Sequence, residues 1–162
     1  ELKRAQIEKL RSAYEAARAV GRDLLIEIIA GKYGALDDDT VAQVLREIYD
    51  DGIKPDWWKL EPQASRAAWA AIDQVIEARD PHCRGVVLLG LEAPHDVLEA
   101  GFAAARSSRT VKGFAVGRTI FAEAAKRWLA GTIGDEEAIA DMAHRFGALV
   151  EVWERLGESR AA

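Results

Sequence analysis

The sequence predicts an α/β fold built from four consecutive strand–helix units with parallel strands, preceded by one further helix. Three observations lead there. Four short apolar runs alternate with longer stretches in which apolar residues recur every three or four positions. Successive runs begin about 30 residues apart, the length of one βα unit. Glycine or proline stands at most of the junctions and interrupts both patterns. Strict alternation of this kind implies right-handed crossovers and a parallel sheet with its helices outside. A closed (βα)8 barrel takes about 250 residues, and this chain has 162. The expected architecture is therefore half of such a barrel, its C-terminal half, with a small open sheet as the competing form. Residues 1–162 are read as a single half-barrel unit. Because residue 1 is Glu and the chain opens on an unpaired helix, that unit is expected to be a piece of a longer chain.

The elements follow in order. From Glu1 to about Val20, Ile7, Leu10, Tyr14 and Ala17 mark one helix face, and Gly21 ends the helix. Residues 24–30, Leu-Leu-Ile-Glu-Ile-Ile-Ala, read as a strand covered on both faces. A loop spans 31–36, and Asp37, Asp38 and Asp39 supply a cap and favourable charge for a helix running to Asp51, with Gly52 closing it. The second strand lies between Pro55 and Pro62, which are tolerated only at its ends. Ser65 caps a helix whose inner face carries Trp69, Ile72 and Ile76. Residues 85–91 form the third strand, and Pro94 opens a helix bearing Val97, Leu98 and Phe102. The fourth strand, 111–116, is broken by Gly113 and Gly117. After it, Phe121, Ala125, Trp128 and Leu129 mark a short helix ended by Gly131, and Asp135 starts a long one whose stripe of Ile139, Met142, Phe146, Leu149 and Trp153 reads as core.

Composition narrows the function classes. A formal charge of -5 argues against nucleic-acid and anionic-membrane partners, both of which require a basic face. The single cysteine, Cys83, has no partner for an internal disulfide, which suits a reducing cytoplasm, and it is expected to be inert. No signal peptide or membrane span is visible. His82, His95 and His144 are scattered, so no metal site is expected.

The candidate chemistry gathers at the C-terminal ends of the strands, where parallel α/β folds meet their ligands. In the second strand, Trp57, Lys59 and Glu61 alternate with Trp58 and Leu60, so the first three face one way. A lysine between tryptophans is unusual there. One reading is an edge lysine that discourages aggregation or pairs with Glu61 on a wet face. The other is a lysine desolvated by Trp57, whose free amine attacks a carbonyl to form a Schiff base. Glu27 interrupts the first strand one neighbour away, about 5 Å. Burial would favour its neutral form, so it is read either as a structural ion pair or, with Glu61, as a proton carrier. Glu61 also opposes the nucleophile, because a nearby anion favours the ammonium. The segment Gly113-Phe114-Ala115-Val116-Gly117-Arg118-Thr119 runs from a strand into a helix, where glycine backbone, helix N–H groups and Arg118 suit a phosphate. Gly90 opens room for the same anion, although tight strand–helix packing explains such glycines equally well. Trp58, Trp69 and Trp128 are read as packing, and Trp57 as packing or cavity lining.

Leu25-Ile26-Glu27-Ile28, Trp58-Lys59-Leu60-Glu61-Pro62, Val87-Leu88-Leu89-Gly90 and Gly113-Phe114-Ala115-Val116-Gly117-Arg118 together resemble the last four strands of class I aldolases of the tagatose-bisphosphate type. The resemblance is closer to the aldolase-like domain fused behind the sugar kinase 5-dehydro-2-deoxygluconokinase of myo-inositol catabolism, and it covers essentially the whole chain. It implies a barrel in which Lys59 forms the Schiff base, Glu27 is the acid/base, and backbone with Arg118 holds the substrate phosphate. No cofactor is implied. The implied reaction cleaves 6-phospho-5-dehydro-2-deoxygluconate to dihydroxyacetone phosphate and malonate semialdehyde, and the implied neighbour is an upstream sugar kinase domain. Two departures stand out: Gly90 occupies the place of a serine on the family's phosphate strand, and the first four strands are absent. The alternative function is a non-catalytic sugar-phosphate-binding or oligomerisation domain. A homo-oligomer is expected in either case, because an incomplete barrel leaves strand edges to pair with a second copy.

Overall fold

The structure is a computed structural model that describes residues 2–90 and 95–158. It has the expected α/β alternation: α1 (Leu2–Ala19), β1 (Leu25–Ile28), α2 (Thr40–Asp50), β2 (Trp57–Leu60), α3 (Arg66–Arg79), β3 (Gly85–Leu88), α4 (His95–Ala105), β4 (Val111–Phe114), α5 (Arg118–Leu129) and α6 (Asp135–Glu158). The four strands form one parallel sheet in the order β1-β2-β3-β4. This is the arrangement of half a (βα)8 barrel.

Most boundaries follow from local chemistry. Gly21, Gly52 and Gly131 take positive φ where α1, α2 and α5 end, a conformation in which glycine carries no Cβ penalty. Among the three aspartates before α2, Asp37 makes the cap: its Oδ1 accepts from the Asp39 and Thr40 backbone N–H groups at 3.1 and 2.7 Å. Ser65 caps α3 by accepting from Ala68 N–H at 3.0 Å. The strands are shorter than the apolar runs. Gly113 lies inside β4 rather than breaking it, and the sheet absorbs an extra residue at Lys112: Val86 pairs with Val111, but Val87 pairs with Gly113. That bulge turns both Val111 and Phe114 toward the helices. Leu91 and Pro94, expected at the end of the third strand and the start of the next helix, lie outside the described residues.

One face of the sheet carries the core. Ile26, Trp58, Leu60, Val86 and Leu88 are buried beneath the helices together with Leu45, Trp69, Ile72 and Phe102. Trp58 donates its indole N–H to the Tyr49 hydroxyl at 2.7 Å, and burial pushes the Tyr49 phenol well above its ordinary pKa. Among the described residues, no helix lies over the opposite face. The expectation that the first strand is covered on both sides is therefore corrected: Leu25 and Glu27 are exposed, and only Ile26 of β1 is fully buried. The core stripe on α6 and the packing role of Trp128 are corrected too. Leu149 is buried and Trp153 packs against Phe102 and Phe114, but Ile139, Phe146, Phe121, Trp128 and Leu129 remain exposed. Among the described residues, no helix is long and apolar enough to cross a membrane.

Two polar clusters fix the frame. Asp73 on α3, 1% exposed, accepts from Ser108 Oγ, Thr110 Oγ1 and the Arg109 N–H at 2.6, 2.7 and 2.9 Å, holding the turn that feeds β4. Asp56 joins α1, β1 and β2 by accepting from Leu24 N–H at 2.8 Å and from the Arg18 guanidinium at 3.0 Å. Burial pulls the Asp56 carboxyl upward, but the Leu24 N–H and Arg18 outweigh it and hold it below its ordinary pKa. Asp73→Ala strands several donors at once, and urea unfolding should record a loss of about 3 kcal/mol. A depressed carboxyl stabilises above the ordinary value of about 4 and loses that contribution as pH falls through its folded value. Asp56→Asn should therefore flatten the acid limb of a stability–pH curve, leaving the neutral-to-alkaline limb unchanged in shape.

Candidate functional site at the C-terminal ends of the strands

β1 and β2 run side by side with Glu27 directly opposite Lys59. Both residues stand on the sheet face that no helix covers, since Ile26, Trp58 and Leu60 take the buried positions between and beside them. The Lys59 ammonium meets Glu27 Oε1 at 3.0 Å. Lys59 is the more enclosed partner, its side chain 26% exposed against 42% for Glu27. Glu27 was expected to be buried and pushed toward its neutral form. Its side chain instead reaches solvent and pairs with the lysine, because the sheet face it occupies is open.

Glu61 parts from this pair. β2 ends at Leu60, and beyond it the chain turns so that Glu61 is 3% exposed and its Oε1 accepts the Gly31 N–H at 2.7 Å. A Cβ on residue 31 would come within 2.9 Å of Glu61 Oε2. Glu61 therefore ties the loop after β1 to the end of β2, instead of standing in line with Lys59. Trp57 keeps the predicted face but sits at the start of β2, away from the cavity described next.

The ends of β3 and β4 supply the other wall. A cavity of about 260 Å³ runs from Glu27 and Lys59 across Gly90 to Val116, Gly117, Arg118 and Thr119. Gly117 takes the N-cap position of α5, with no side chain capping it. The first N–H groups of a helix have no partner within the helix, so this end is suited to an anion. Gly90 serves packing first: a Cβ there would lie 2.8 Å from Val116 Cγ1 and 2.9 Å from Thr119 Oγ1. Its missing side chain lets the β4–α5 turn close onto β3. Gly113 lies on the open face of β4 with nothing within 4 Å of a Cβ, and it does not line the cavity.

The structure thus brings Lys59, Glu27, Gly90, Gly117 and Arg118 into one cavity and leaves Trp57, Glu61 and Gly113 outside it. Thr119 was given no role from sequence, although it follows the Gly-Arg pair directly; its hydroxyl sits where the two strand ends meet. Larger clefts of about 570 and 520 Å³ lie along α1, but neither joins a nucleophile to an anion-binding end. Cys83 is half-buried, and burial pushes its thiol above its ordinary pKa, which disfavours the reactive thiolate. Among the described residues, no group of three or more His, Cys, Asp or Glu side chains gathers as a metal site would. Chemically, the cavity offers an amine with a carboxylate in proton-transfer contact, facing a helix N-terminus across the sheet.

Residues 1–157 match the family described as "Uncharacterized protein conserved in bacteria (DUF2090)". No curated protein matches the chain.

Gly90→Ala forces Val116 and Thr119 outward. We expect it to destabilise the fold by about 1–3 kcal/mol in urea unfolding, with amide chemical shifts moving mainly at residues 115–119.

Proposed function

The chain belongs to the DUF2090 family, whose description names no activity, and from its site we propose that it is a Schiff-base aldolase domain acting on a phosphorylated keto-sugar acid. The observation that carries this reading is the 3.0 Å contact between Lys59 and Glu27 at the mouth of a cavity whose far wall is the N-terminus of α5. The resemblance of the Lys59 and Gly113–Arg118 segments to class I aldolases of the tagatose-bisphosphate type supports it. On that resemblance the substrate is 6-phospho-5-dehydro-2-deoxygluconate, and the domain is the aldolase-like partner of a sugar kinase in myo-inositol catabolism.

In this mechanism Glu27 takes a proton from the Lys59 ammonium, and the amine adds to the ketone carbon. Glu27 then protonates the departing hydroxyl, so that water leaves and an iminium forms. Glu27, a carboxylate again, takes the proton from the hydroxyl on carbon 3, and the bond between carbons 3 and 4 breaks. The electron pair passes to the iminium as an enamine, and malonate semialdehyde departs. Reprotonation and hydrolysis release dihydroxyacetone phosphate and restore Lys59. The phosphate sits against the first turn of α5, where Gly117 allows close backbone approach and Arg118 adds charge-assisted hydrogen bonds.

A second reading has its own observation. Lys59 stands in an ion pair with Glu27 at 3.0 Å, and a lysine engaged in this way can hold an anion without attacking a carbonyl. In that case the same cavity holds a sugar phosphate without turnover.

Borohydride reduction in the presence of dihydroxyacetone phosphate separates the two. The aldolase reading expects a stable adduct that peptide mapping places on Lys59, absent from Lys59→Ala and formed about 100-fold more slowly in Glu27→Gln. Binding of the phosphate by calorimetry with no adduct on Lys59, in this chain or in a longer form of it, would overturn the aldolase reading in favour of the binding one.

A further inference from the structure

We propose that Thr119 is a phosphate ligand of the cavity, its hydroxyl and its backbone N–H both donating to terminal oxygens of a phosphate monoester. That role presupposes the phosphate reading of the α5 N-terminus, and it adds the residue by which the site distinguishes a phosphorylated ketone from an unphosphorylated one.

The hydroxyl of Thr119 stands apart from its counterparts. Among the described residues, every other serine and threonine hydroxyl donates to a carboxylate or to a backbone carbonyl, and Thr119 alone makes no hydrogen bond. A threonine in the first turn of a helix ordinarily caps that end or bonds back to a carbonyl one turn earlier. Thr119 does neither; Gly117 holds the cap position, and no side chain caps it. Thr119 is half-buried and lines the cavity that also holds Lys59 and Glu27, and its Oγ1 is not among the polar atoms sealed from solvent. A hydroxyl so placed is available to water or to a ligand that displaces it.

Its position is set by the end of β3. A Cβ on residue 90 would lie 2.9 Å from Thr119 Oγ1, so the hydroxyl stands over Gly90, and the missing side chain there keeps the space beside it open. The backbone supplies the second donor. The first bonds of α5 run to the Gly117 carbonyl from the N–H groups of Ile120 and Phe121, at 2.8 and 3.1 Å. The Thr119 N–H precedes them and has no partner within the helix. One residue thus brings two donors to the cavity. A phosphate monoester presents three terminal oxygens in a tetrahedral array and takes charge-assisted bonds from several directions, which a sugar hydroxyl does not. Because the threonine hydroxyl is uncharged, it adds recognition without strengthening the general attraction for anions.

Calorimetric titration of the 162-residue chain with inorganic phosphate and with dihydroxyacetone phosphate tests the assignment. Thr119→Val keeps the branched shape and loses the hydroxyl, and it should weaken both ligands about 10-fold, whereas Thr119→Ser should stay within about 2-fold of the parent. Parent affinity in Thr119→Val would overturn the inference and leave the phosphate reading standing. A parent chain that binds neither ligand would overturn both. Borohydride trapping adds a readout that a purely structural role would not move. In Thr119→Val, half-maximal trapping should need about 10-fold more dihydroxyacetone phosphate, with trapping of unphosphorylated dihydroxyacetone unchanged. An equal loss with both ketones would show general damage to the cavity and defeat the assignment. Should no adduct form on Lys59 in any variant, the Schiff-base reading falls, and calorimetry still decides the role of Thr119, since binding requires no covalent step.

Discussion

One constraint shapes this molecule: a four-stranded parallel sheet whose helices all pack on one face. Trp58, Leu60, Val86 and Leu88 drive that packing with essentially complete burial, and the bulge at Lys112 extends it by turning both Val111 and Phe114 to the same side. Whatever alternates with those residues along each strand is left on the other face. Glu27 and Lys59 are there because Ile26, Trp58 and Leu60 are not. Their pairing follows from register, since a parallel alignment that buries Ile26 beside Trp58 sets Glu27 beside Lys59 without further specification.

Placement at strand ends explains how so few residues assemble a site. Two of the turns at the strand ends are held directly: Gly31 donates its N–H to Glu61 after β1, and the β4–α5 turn packs closely on Gly90 after β3. The loops are thus fixed to the sheet rather than to one another. Asp73 does the corresponding work at the opposite end, where its buried carboxylate gathers the donors of Ser108, Arg109 and Thr110 and sets where β4 begins. Precision at the cavity therefore depends on polar groups remote from it.

Much of this was legible in the sequence, for physical reasons. Periodicity distinguishes helices from strands, and glycines at positive φ mark where helices end, so the order of elements and the stripe of Ile7, Leu10 and Tyr14 on α1 could be read directly. The proximity of Glu27 and Lys59 was readable because neighbouring parallel strands leave few registers once one face is apolar. What could not be read was long-range. A run such as Leu24–Ala30 looks alike whether one face or two are covered, because burial of the second face depends on chain that the run does not contain. Glu61 was misplaced for a related reason: two-residue alternation holds only while the strand lasts, and β2 stops one residue earlier. The stripe on α6 is apolar along its length, but Ile139 and Phe146 lie where the helix passes beyond the sheet.

The contact between Glu61 and Gly31 has a consequence for how this sequence can drift. A carboxylate three per cent exposed needs a donor, and the donor it has is a backbone N–H that no substitution at position 31 except proline removes. The space beside that N–H is already filled by the acid itself. Positions 31 and 61 are therefore tied across two strands: a side chain at 31 must displace the end of the Glu61 side chain, and a shortened residue at 61 leaves the N–H bare unless water or another acceptor reaches it. A change at either position is thus felt at the other, although neither need ever touch a ligand.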